Sequence, residues 1–212
     1  MQFDRLGRGR CGSTLDRMDP IRGIVHIGII LALSAPIADQ QIEALKAEAT
    51  AIWQPYGVVL SWFDANADCA SDEQGAPPVV DRIVWLVTDT PNGPGASLAN
   101  VRFNAGTPDD VIHLRYEHLS RMVLDATVAS WQIRMLPSPV RNRLLGQAMG
   151  RVVAHELGHL LLGAAPHDRA GLMRPTFVPE DLVMRGREQM RLSHASQQRL
   201  IDRARANRII NP

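Results

Sequence analysis

His155, Glu156 and His159 stand in the order His-Glu-x-x-His. Side chains four apart on an α-helix share one face, one turn apart, so two imidazoles so placed can bind one zinc ion without bending the backbone. Glu156 directly follows the first histidine, which sets its carboxylate beside the metal and near a water held there. Hydrolysis is the chemistry this arrangement suits. The cation lowers the pKa of the water and polarises the group under attack, and the carboxylate takes the proton.

Two histidines do not complete such a centre, because catalytic zinc takes three protein ligands and keeps a fourth position open. Past Gly163 the chain can turn back, and His167 is the first residue beyond it with a good ligand side chain. Asp168, next to it, and Glu180 and Glu188 further on are rival donors. His113 and His118 invite a second-metal reading, but isolated histidines on a strand are more often hydrogen-bonded or exposed.

The element that must carry the pair is a helix. From Val140 to Leu162, Leu144, Leu145, Ala148, Met149, Val152 and Leu157 recur at helical spacing. Ser138 suits the N-cap, Pro139 the first helical position, and Gly163 a left-handed exit.

The whole run from His155 through Gly163 to His167, followed by Gly171-Leu172-Met173, resembles the metzincin metalloproteases. It is similar to a small bacterial form with the stretched spacing HExxHxxxGxxxH and a Gly-x-Met turn. The usual metzincin interval puts glycine three and histidine six residues after the second ligand. Those positions here are Leu162 and Ala165, neither a metal donor. The resemblance implies Zn²⁺ held by His155, His159 and His167, with Glu156 as general base and Met173 as a structural side chain beneath the ligands. It implies a zinc endopeptidase acting on a peptide or protein. It further implies an α+β, zincin-like fold: a twisted mixed sheet, an active-site helix and a C-terminal helix from about Ser193.

A substrate would lie extended along an edge strand. The stretch from 96 to 101, with Leu98, Ala99 and Asn100, is one candidate, and Val111–Arg115 is another. Arg174 to Val178 would wall the specificity pocket. Two other functions compete: a protein that keeps zinc for structure or binds peptides without cutting, and a zinc hydrolase of small amides. Retention of Glu156 argues against the first, since a structural site needs no base and usually has a fourth protein ligand.

Upstream, Asp39 can cap a helix whose apolar positions include Ile42, Leu45, Ala49, Ile52 and Trp53, ending before Pro55. Val58–Phe63, Ile83–Val87 and Val111–Tyr116 read as strands, and residues 119–137 carry no pattern that assigns them. Ile24–Ala35 is too short to span a membrane. Its Ile and Val content favours a buried strand over the apolar part of a signal peptide. The strand reading tilts localisation toward the cytoplasm, and the other implies export.

With 212 residues and 45% hydrophobic content, the chain can bury one sizeable core, which suggests one domain over 21–212 after a disordered tail over 1–20. A net charge of +1 argues against a nucleic-acid partner. Two cysteines, Cys11 and Cys69, build neither a disulfide scaffold nor a thiolate zinc site. Arg10-Cys11-Gly12 faintly resembles the cysteine switch of matrix metalloproteases, against the plainer reading of a tail cysteine.

Overall fold

The computed structural model describes residues 25–34, 36–65, 80–88, 97–128, 130–163 and 167–210. The tail over 1–20, Cys11 and Cys69 lie outside them. The Ile- and Val-rich segment forms strand β1 (Val25–Ala32), paired in parallel with β2 (Val58–Asp64) on one side and β3 (Arg82–Thr88) on the other. Beyond β3 come β5 (Thr107–Leu114), also parallel, and β4 (Ala99–Asn104), antiparallel to β5. The order β2-β1-β3-β5-β4 makes a mixed sheet whose antiparallel strand is an edge. β5 therefore has partners on both sides. Val111–Arg115 cannot receive a substrate strand, and of the two stretches only the one leading into β4 has a side left unpaired by the described strands.

One face of the sheet is packed against helices. Ile27, Ile29 and Leu31 of β1 alternate inward with Val84 and Leu86 of β3, as period-two burial requires. Helix α1 (Asp39–Trp53) and helix α3 (Ser138–Leu162) pack tightly together. Their close approach depends on Gly146 and Gly150 of α3: a Cβ on Gly150 would stand 2.7 Å from the Leu45 carbonyl, and one on Gly146 would collide with that of Gln41. Polar ties set how far α3 slides along α1. Buried Arg151 donates from Nε to Glu48 Oε1 at 2.8 Å and from Nη1 to the Asp181 carbonyl at 2.7 Å. Arg187 takes the other Glu48 oxygen at 2.7 Å, and Trp53 Nε1–H donates to the Ala154 carbonyl at 3.1 Å. The bonds at Arg151 and Ala154 fall on α3 about a turn or less before His155 and fix the height at which the histidine pair stands.

Both helix starts differ from expectation. Ala38, not Asp39, is the N-cap of α1, and Asp39 is its first helical residue. Pro137, not Ser138, is the N-cap of α3; the Ser138 hydroxyl accepts from Arg141 instead. Carboxylates also favour the first turn, where they face the positive end of the helix dipole, so composition does not separate N-cap from first turn at Asp39.

The unassigned region 119–137 is built from short pieces. Helix α2 (Tyr116–Asp125) begins where a strand was expected to finish. It leads to a hairpin of β6 (Thr127–Val128) and β7 (Trp131–Gln132), a 3₁₀ turn at Ile133–Met135, and then α3. Among the described residues there, only Leu119, Val123 and Ile133 are fully buried, too few anchors to show a period. Helix α4 (Pro179–Val183) and helix α5 (His194–Ile210) complete the description. Among the described residues, no helix is long and apolar enough to cross a membrane.

Candidate metal centre

His155 and His159 project from α3 into one cleft, where their Nε2 atoms stand 3.1 Å apart. α3 ends one turn later. Gly163 takes the left-handed conformation at φ 58° and its N–H bonds to the His159 carbonyl, so the chain can leave the helix and return. His167 then meets the pair. Its ring stacks on His155 with centroids 5.3 Å apart and meets His159 edge-on at 5.0 Å. One donor atom from each histidine lies within 4.8 Å of the others, and this is the only such metal-sized group of three among the described residues.

This donor set suits a divalent transition metal. Tetrahedral zinc with Zn–N near 2.05 Å separates its ligand nitrogens by about 3.3 Å. The His155–His159 pair stands close to that already, and a small swing of the exposed His167 ring would bring it in. The second nitrogen of His155 is spoken for: Nδ1–H donates to the Leu172 carbonyl at 2.7 Å, which leaves the Nε2 lone pair aimed at the other two rings. Burial lowers the His155 pKa to about 4, against the opposing pull of the Leu172 carbonyl and with help from the neighbouring His159 and His167. The ring is thus a neutral donor at ordinary pH.

The rival donors lie elsewhere. Asp168 turns its carboxylate away to accept from Ser196 Oγ at 2.8 Å. Glu180, Glu188, His113 and His118 join no metal-sized group.

Glu156 lines the same cleft, nearly buried. Burial pushes its carboxyl up to about 7, partly offset by a hydrogen bond from the Val101 N–H of β4. That bond shows which way the edge strand faces. The Leu98 carbonyl accepts from Arg115 N–H toward β5, so by antiparallel alternation Ala99 and Val101 turn their N–H and C=O groups to the open side. The Ala99 carbonyl already accepts from Ser97 Oγ.

The cleft is about 590 Å³ and runs between this edge and Pro175–Phe177, over the histidines. Leu98, Ala99 and Asn100 all line it, as does part of the expected wall from 174 to 178. Phe103, Met122 and Val152 complete an apolar lining that the sequence did not single out. Val152 was detectable as one turn before Glu156 on the same helical face. Nothing local to Phe103 or Met122 marks them.

Met173 packs on α3 at Gly158, between the two helix histidines in sequence. It is 1% exposed, and its sulfur packs so closely on Gly158 that any Cβ there would collide with it. The turn leading to it depends on Gly171, at φ 85°, where a side chain would also run into the Arg191 carbonyl.

No protein-family model and no curated protein matches the chain. A solved structure does: archaemetzincin from Methanopyrus kandleri superposes with a TM-score of 0.50 at 14% identity, over 86% of this chain and 96% of that one. The fold is similar to that of archaemetzincin. At this identity the likeness speaks for the zincin-like architecture alone: a mostly parallel twisted sheet with helices packed on it.

Proposed function

We propose that this chain is a zinc-dependent endopeptidase, with His155, His159 and His167 as ligands and Glu156 as general base. The observation that carries the reading is the meeting of three imidazoles from α3 and the following loop in one cleft, with a buried carboxylate beside them and an open strand edge alongside. The archaemetzincin-like fold is consistent with it. A zinc ion held there would supply Lewis acidity, polarising a carbonyl and lowering the pKa of a water.

The remaining work falls to the chain. The Leu172 carbonyl holds His155 in one tautomer and orientation. Glu156 accepts a proton from the attacking water and passes it to the departing amine. Ala99 and Val101 offer main-chain groups to an extended peptide, as strand addition requires, once Ser97 and Glu156 release them. The apolar lining from Met122, Val152 and Phe177 receives an uncharged side chain. Met173 supports the floor under both helix ligands through Gly158.

Metal content by elemental analysis, run with a casein-cleavage assay, tests this reading. Wild type should hold one zinc per chain and cleave in a chelator-sensitive manner. His167→Ala should lose zinc on dialysis, while Glu156→Gln should keep it and lose cleavage. Failure to take up zinc, or cleavage by Glu156→Gln at the wild-type rate, would refute it.

A further inference from the structure

The interval from His159 to His167 is eight residues, two more than the usual metzincin spacing. A longer connection has more conformations to lose, so its far end needs anchoring from outside the loop. Asp168, the neighbour of His167, is anchored twice. Its N–H donates to the Met173 carbonyl at 2.7 Å, and its carboxylate accepts from Ser196 Oγ at 2.8 Å.

Ser196 is 2% exposed and lies near the start of α5, where its own N–H bonds to Ser193 Oγ. The same helix reaches the other end of the connection: the Arg203 guanidinium lies so close over Gly163 that any Cβ there would collide with it. Just before α5, the Arg191 carbonyl accepts from Leu172 N–H at 2.9 Å, and Leu172 is the residue whose carbonyl holds His155. Segment 191–203 therefore touches the support of the first histidine and both ends of the connection bearing the third.

We infer that the C-terminal helix positions the metal centre, with Ser196 and Asp168 as the positioning residues that hold His167 in reach of the other two histidines. This rests on reading those histidines as zinc ligands. The Asp168–Ser196 bond has a second consequence: it occupies a carboxylate that would otherwise compete with its neighbour as a donor.

The test uses the full chain, with zinc affinity measured by competition against a chromophoric chelator and geometry read from the visible spectrum of the cobalt-substituted protein. Ser196→Ala and Asp168→Ala should each weaken zinc binding about tenfold or more and change the cobalt bands. Ser196→Thr, which keeps the hydroxyl, should restore both. Gln198→Ala, on the same helix but bonded to Asp202, should change neither. Wild-type affinity and an unchanged cobalt spectrum in Ser196→Ala would overturn the inference while leaving the zinc reading in place, even if thermal stability fell. A wild type that takes up neither metal would overturn both.

Discussion

Glu156→Gln should make the metal-free protein more stable at alkaline pH, even as it abolishes hydrolysis. The carboxyl titrates near 4.5 in the unfolded chain and is pushed up to about 7 in the native state by burial. Between those values the native protein holds a proton that the unfolded chain has released, so stability falls as pH rises from 4.5 to about 7. At roughly 1.4 kcal/mol per pH unit the whole interval amounts to about 3 kcal/mol, all of it lost by pH 8. Glutamine has the same shape, carries no charge, and can still accept from the Val101 N–H.

The variant should therefore exceed wild type by about 3 kcal/mol at pH 8, visible as a urea midpoint higher by about 1 M, with no difference at pH 4. Urea unfolding in the presence of chelator at the two pH values measures it. His155 contributes in the opposite sense. Its native pKa is lowered to about 4, so the unfolded chain binds the extra proton and stability rises with pH from 4 to 6.5. Both proteins share that slope, so it cancels from the comparison. In wild type it opposes the Glu156 slope, and in the variant that opposition is gone. Zinc should shrink the difference, because a cation beside the carboxylate favours its ionised form. Equal stability at pH 8, or an equal gain at pH 4, would refute the argument that burial of this carboxylate governs the effect.

Two further predictions concern the supports of the same site. Gly158→Ala forces a Cβ into the Met173 sulfur and should destabilise the protein by about 1–3 kcal/mol, as overpacking does. Met173→Ala alone should cost about 2–5 kcal/mol and Met173→Leu less than about 1.5, and thermal denaturation of the three ranks them. Val101→Pro deletes the edge-facing N–H that Glu156 accepts, a place where an edge strand tolerates proline. Circular dichroism should stay unchanged while kcat/KM for a peptide falls about tenfold, the scale of one lost hydrogen bond to a charged group. An unaltered kcat/KM would remove Val101 from the site.

How far the chain could be read in advance followed the range of each interaction. The helical period alone puts His155 and His159 on one face, and the folded chain sets their Nε2 atoms 3.1 Å apart. Alternation and β-branched content likewise marked β1, β2 and β3 to within a residue or two at most ends, because those patterns reflect neighbours along the chain. Gly163 was legible as a helix exit for the same reason.

What required the tertiary structure was every choice among partners distant in sequence. His167 and Asp168 are adjacent candidates; local chemistry favours the imidazole, but only packing decides which of the two faces the pair. The hydroxyl of Ser196, 28 residues on, engages the carboxylate and leaves the imidazole facing the pair. Both 96–101 and Val111–Arg115 read as strands that could receive a peptide. Only pairing shows that β5 is enclosed between β3 and β4 while, among the described strands, β4 has one partner. The tautomer of His155 depends on a carbonyl from Leu172, and the cleft wall on Phe103 and Met122, none of which any local pattern marks. Backbone periodicity is a property of the segment, whereas a hydrogen bond or a lining contact between segments exists only once packing has brought both to one place.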